Sequence, residues 1–186
     1  MPPITNKRDM YRLLTAGSLG NTIPQWFDVS EWERSADAGR YPLWGVRSLV
    51  PGGPCRLNCP AAEVRATAER PEFQRAGVNV SAMVDAVTVV TAWLEVYDSP
   101  TGLVVYGIEY PPRGVSWREW MPTRGRHWEG TAARMVLRKH LNPNSLDDLS
   151  TVLDRWPGHV VELSAVEGCF GTVPGRNGIV WEVRNY

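Results

Sequence analysis

Apolar residues recur along this chain with two different periods, and the switch between them sets the fold to expect. Over residues 6–16 the period is helical: Met10, Leu13 and Leu14 share a face, Asn6 with Asp9 caps the start, and Gly17 stops the run. Asp28 with Glu31 makes a capping-box pattern for a short helix closing near Gly39, with Trp26, Phe27 and Trp32 packed about its start as a hydrophobic staple. Residues 43–50 read as a strand ended by Pro51-Gly52-Gly53-Pro54. Pro60 then opens a helix over 61–70 that Pro71 ends.

From residue 78 the period falls to two. Residues 78–84 are a strand, and in 87–97 Val90, Ala92, Leu94 and Val96 face one way. The turn Asp98-Ser99-Pro100-Thr101-Gly102 returns the chain along 103–110, which predicts an antiparallel hairpin. Residues 111–129 show no regular period. Helices are expected at 131–141, with Ala132, Met135, Val136 and Leu141 on one side, and at 146–155, capped by Ser145 with Asp148 in support. Strands at 159–166 and 179–184 enclose a glycine-rich passage. The expected fold class is therefore α+β in a single domain over 1–186: short N-terminal helices, a mainly antiparallel sheet, and two later helices packed on it.

Composition narrows this picture little. A chain of 186 residues with 43% hydrophobic and 22% charged positions can bury a core without disulfides or metals. No apolar run approaches the roughly 18–20 residues that cross a bilayer. The first residues carry no apolar stretch after their charges, so the chain reads as soluble, complete and cytoplasmic, with no membrane partner. Three cysteines at 55, 59 and 169 fit free thiols in a reducing compartment. Cys55 and Cys59 are separated by three residues and lack a partner pair, a poor match to a zinc knuckle, so no metal site is expected.

The sequence holds no Gly-x-Ser-x-Gly, no phosphate-binding glycine loop ending in Gly-Lys-Ser/Thr and no His-Glu-x-x-His, and no cofactor is expected. Charge supplies the one uneven region. Net charge is zero, yet residues 111–140 hold seven basic residues against Glu119 and Glu129, leaving an equal negative excess elsewhere. Within it Arg113, Arg118, Arg124, Arg126, Arg134 and Arg138 interleave with Trp117, Trp120 and Trp128, and a helix start lies at Thr131. Arginine recognises phosphate through two parallel hydrogen bonds, and indole rings stack on bases. The pattern reads as an accessory binding domain for an anionic partner, nucleic acid or a nucleic-acid-bound protein.

Two other readings follow from the same residues. A small transferase or hydrolase would use that cleft with His127 or Glu129 as base. The order Arg47, Ser81, Glu162 on three expected strands is similar to the Arg, Ser and Glu order of ADP-ribosyltransferases, in order only. A protein-interaction or inhibitor module needs no motif at all.

Overall fold

The computed structural model describes residues 6–16, 23, 25–39, 41–50, 52–83, 89–112, 114–116, 119, 125–170 and 173–185. It is α+β, with two antiparallel sheets in two compact units. Among the described residues no helix is long and apolar enough to cross a membrane.

The first unit begins with α1 (Lys7–Ala16), whose Asn6 carboxamide accepts from the Asp9 N–H at 3.0 Å, as the cap pattern predicts. Its buried residues are Met10, Tyr11 and Leu14. The unit's sheet runs β1-β4-β2-β3, from β1 (Trp26–Phe27), β2 (Leu43–Ser48), β3 (Cys55–Pro60) and β4 (Val78–Ala82). Trp26 and Phe27 thus pair with Ser81 and Val80 in addition to flanking the capping box that opens α2 (Val29–Arg34). A core of Trp44, Val46, Val64, Phe73 and Val80 fills one side of this sheet. Trp44 is fully buried, with edge-on contacts to Trp32 at 5.7 Å and Tyr41 at 5.5 Å.

Residues 55–59, to which the sequence assigned no element, and the expected helix after them take form here. The cysteine pair lies on a strand, β3, with Cys55 exposed and Cys59 buried, its sulfur 3.5 Å from Thr67 Oγ1. The helix expected over 61–70 is a 3-10 turn (Ala61–Glu63) leading into α3 (Val64–Ala68). α3 ends before Pro71, as expected, and Pro71 itself opens a further helix, α4 (Pro71–Ala76), because a proline at a first helical turn gives up no needed N–H.

The second unit carries the sheet β7-β6-β5-β8-β9, all antiparallel. The expected hairpin is present: β5 (Val89–Ser99) pairs with β6 (Gly102–Glu109), with Val96 opposite Val105 and Ser99 opposite Gly102. Gly102 takes φ of 116°, and the Ser99 hydroxyl accepts from Thr101 N–H and donates to the Gly102 carbonyl, which closes the turn. Ala92, Leu94 and Val96 are fully buried, whereas Val90 is half-buried. The reason is a bulge: β8 (His159–Phe170) faces Val90 with Val166 and Ala92 with Ala165, so Thr91 is the extra residue.

The stretch expected to lack structure contains β7 (Arg126–Glu129), an edge strand on β6. It leads directly into α5 (Gly130–His140), which buries Ala133, Val136, Leu137 and His140. The stripe expected from apolar residues alone was wrong for Met135 and Ala132, both exposed, because a histidine takes the fourth inward position. α6 (Pro143–Arg155) begins earlier than expected. Asn142, not Ser145, is its cap, accepting from the Ser145 N–H at 2.8 Å, and Pro143 fills the first turn. β9 (Val173–Asn185) and β8 are also longer than their periodic cores.

Candidate functional site

Both faces of the five-stranded sheet hold buried apolar residues, Val104, Val160 and Ile179 among them on the second, but only the second carries a row of ionisable side chains across its centre. One face presents Ala92, Leu94, Val96, Val105, Val161 and Leu163 to the helices and is buried. On the other, a single row of polar residues crosses all five strands in register. His127 faces Tyr106, Tyr106 faces Glu95, Glu95 faces Glu162, and Glu162 faces Glu182. Cross-strand neighbours on one face stand about 4.5–5.5 Å apart, so three carboxylates lie side by side on β5, β8 and β9.

Like charges directly opposite destabilise a sheet. Arg184, one step along β9, offsets this. Its two terminal nitrogens donate to Glu162 Oε2 at 3.0 Å and to Glu95 Oε1 at 2.7 Å. The hydrogen bond to Glu95, with attraction from Glu95, Glu162 and Glu182, raises the Arg184 pKa above its ordinary value against a partial burial penalty. Among the described residues Arg184 bonds two of the three carboxylates, and all three act on its charge. Aromatic rings flank the row: Trp93 and Trp181 stack with centroids 6.5 Å apart, Trp181 donates to Ser164 Oγ at 2.8 Å, and Tyr97 stacks on Tyr106 at 6.2 Å. Among the described residues no three His, Cys, Asp or Glu side chains are gathered closely enough to enclose a metal ion.

A second constellation sits on the buried face. Glu109, opposite Ala92 on β6, is 4% exposed and accepts from Lys139 Nζ and His140 Nε2, both at 2.7 Å. Burial alone would raise the Glu109 pKa, but these two donors outweigh it and hold the carboxyl below its ordinary value. His140 is pushed down, chiefly by burial, despite the pull of Glu109.

Of the residues singled out from sequence, Arg126 and His127 are exposed on β7 and Trp128 is half-buried there. Thr131, Arg134 and Arg138 are exposed on α5. His127 lies against Tyr106 at 5.5 Å with Nε2 3.7 Å from Glu129 Oε1. Arg113, Trp117, Arg118, Trp120 and Arg124 lie outside the described residues. Of the Arg47, Ser81 and Glu162 triple, Arg47 Nε donates to Ser81 Oγ at 3.3 Å in the first unit, and Glu162 belongs to the second. Sequence reasoning missed Glu95, Glu182 and Arg184. Their signal was the polar second face of otherwise apolar strands, seen in Trp93-Glu95-Tyr97 and Glu182-Arg184.

The fold is similar to that of several solved ligases and synthetases. The similar structures include N5-carboxyaminoimidazole synthetase from Staphylococcus aureus, at TM-score 0.56 and 9% identity over 97% of this chain and 44% of that one. D-alanyl-alanine synthetase A from Vibrio cholerae O1 biovar eltor str. N16961 matches at TM-score 0.54 and 13% identity, over 97% and 55%. D-alanine-D-alanine ligase from Helicobacter pylori matches at TM-score 0.50 and 11% identity, over 97% and 53%. The chain therefore spans about half the length of these enzymes. No family model matches the sequence, and no curated protein matches it.

These likenesses overturn the expected function. The fold is that of ligases and synthetases with no nucleic-acid link, so the reading as an accessory nucleic-acid-binding domain is corrected. The alternatives built on the same arginine- and tryptophan-rich cleft fall with it. Charge clustering along a sequence shows where arginines are dense but not what the sheet beside them is built to hold.

Proposed function

We propose that the chain is an ATP-grasp-like domain that holds a nucleoside triphosphate on the polar face of its five-stranded sheet and serves a ligase reaction. What carries the reading is the register-paired row Glu95, Glu162 and Glu182 with Arg184, on the face opposite the helices of a chain with a ligase fold. The donor set suits a hard divalent cation arriving with phosphates. Magnesium is usually held by one or two carboxylates plus substrate phosphate oxygens, so it needs no three-ligand protein cage. Glu162 and Glu182 are the carboxylates suited to hold it, and the Arg184 guanidinium is a charge-assisted donor for a phosphate. Bound there, the cation and nucleotide supply a phosphoryl group that activates a carboxylate for ligation. Trp93, backed by the buried Trp181, and the exposed Tyr106 offer flat apolar surface beside the charges.

The test is a titration of the full chain with ATP in the presence of magnesium, followed by tryptophan fluorescence and by calorimetry. Saturable binding is expected, weakened in Glu162→Gln and Glu182→Gln. The loss should be at least the roughly 10–100-fold seen when an outer-shell partner of a metal ligand is removed. A wild-type chain silent in both measurements, with and without magnesium, would refute the proposal.

A further inference from the structure

On the helix-covered side of the same sheet, at the end of β5, a cavity of about 480 Å³ has Thr91 and His140 in its wall. That volume is within the range of small-molecule sites. Val89, Pro111 and Pro112 give it an apolar lining, and Lys139 and Arg176 stand in its wall. Thr91 is the bulged residue of β5, and bulges re-aim a side chain that a regular strand would point elsewhere. Here Thr91 Oγ1 lies 2.9 Å from His140 Nδ1, and His140 Nε2 lies 2.7 Å from Glu109 Oε1. A hydroxyl, an imidazole and a carboxylate are thus linked in sequence by two short hydrogen bonds beside a cavity. That is the arrangement by which a base activates a nucleophile while a third group orients the base.

Proton bookkeeping fixes the direction of the relay. An ionised carboxylate only accepts, so His140 Nε2 carries a proton and donates it to Glu109. Burial disfavours a second proton on the ring, which leaves Nδ1 bare and makes the Thr91 hydroxyl the donor. Thr91 Oγ1 also lies 3.2 Å from the Ala165 carbonyl, which receives its hydroxyl when Nδ1 is itself protonated. Glu109 is held ionised by Lys139 as well as by His140, so it can support the imidazolium formed in a proton transfer.

We propose that Thr91 is an acyl-accepting nucleophile, with His140 as its base and Glu109 as the orienting group, for a small carboxylic ester or thioester seated in this cavity. In the step, Thr91 Oγ bonds to the acyl carbon while its proton moves to His140 Nδ1. The bond to the departing oxygen or sulfur then breaks, and His140 returns the proton to that leaving group. Thr91 is left as an ester, with no oxidant, reductant or further reactant consumed. This site lies on the opposite face of the sheet from the carboxylate row, so the two proposals stand or fall separately.

The test is to incubate the full chain with p-nitrophenyl acetate and map acetylated residues by peptide mass spectrometry. A single acetyl group on Thr91 is expected, absent in Thr91→Val and retained in Thr91→Ser, whose hydroxyl is less hindered. His140→Gln should slow the labelling of Thr91 by roughly 10²–10⁴-fold, the usual worth of a general base. Should that variant not fold, the rate of Thr91 labelling in wild type decides, since it must fall as acid protonates His140. The proposal is overturned if Thr91 stays unlabelled while surface lysines are acetylated. It is equally overturned if His140→Gln labels at the wild-type rate, or if wild-type labelling of Thr91 ignores acid.

Discussion

Gly107 on β6 sits directly across from Leu94, and a single methyl group there tests the register on which both faces of the second sheet depend. A β-carbon added at Gly107 would stand 2.5 Å from Leu94 Cδ2 and 2.6 Å from the Trp93 carbonyl oxygen. Ordinary contact begins near 3.4 Å, so both neighbours would have to retreat by most of an ångström. Leu94 is fully buried and has little room to turn, and the Trp93 carbonyl belongs to the strand backbone. Overpacking of this kind costs about 1–3 kcal/mol. For a unit of about 100 residues each kcal/mol lowers the melting temperature by roughly 4–8 °C. Gly107→Ala should therefore melt roughly 4–24 °C lower by circular dichroism, a span set by those two figures. Leu94→Ala alone should cost about 2–5 kcal/mol. The double variant should be less destabilised than the sum, by about 0.5–3 kcal/mol, because the new methyl enters the space the leucine leaves. The clash with the Trp93 carbonyl survives, so compensation is partial. An unchanged melting temperature for Gly107→Ala, or strict additivity in the double variant, would mean that Leu94 and Gly107 do not face each other, and the row Tyr106, Glu95, Glu162 would lose its basis.

Other expected outcomes follow from single contacts. Asn142→Ala removes the cap of α6 and a 3.3 Å bond to Asn177, and should cost about 1–2 kcal/mol in denaturant unfolding. Trp181→Phe leaves the buried Ser164 hydroxyl without its indole donor and should cost about 1–3 kcal/mol, with loss of the stacked indole contribution to fluorescence. His140 is lowered in the folded chain, so the unfolded chain takes up a proton first as pH drops below the ordinary 6.5, and stability falls across that window. Glu109 beside it, held below its ordinary value, stays ionised across that window. Glu109, also lowered, adds a second loss below the ordinary carboxyl value of 4.5. Unfolding curves taken from pH 7 down to about 2–3 should show both steps, and His140→Gln should lack the first while keeping the second.

Where one face of a strand is buried and the other is not, the period is written in the residues themselves, and the β5–β6 hairpin was legible for that reason. Strand β3 was not, since Cys55-Arg56-Leu57-Asn58-Cys59 shows no alternation and Asn58 takes a positive φ of 53°. Gly168 and Gly175 read as breakers but lie inside β8 and β9, opposite each other, at φ of 119° and 115°. The inward stripe of α5 was misread because a polar residue, His140, fills a core position through its bonds to Glu109 and Thr91. Each strand shows its polar second face locally, but nothing local joins those faces into a row. Glu95, Glu162 and Glu182 become neighbours only through the strand order β5-β8-β9, and no spacing along the chain encodes that order.

The corner between α5 and α6 is fastened from β9. Arg176 donates to the Lys139 carbonyl at 2.7 Å, its own carbonyl takes the Asn142 N–H at 2.8 Å, and the Gly178 N–H reaches Ser145 Oγ at 3.2 Å. β9 follows both helices in the chain. During synthesis the helices therefore emerge before the strand that fixes the angle between them, and their docking waits on chain made later. Shortening the chain within β9 would accordingly release more than an edge strand: the helix pair would lose its corner, and the wall of the Thr91 cavity would lose Arg176.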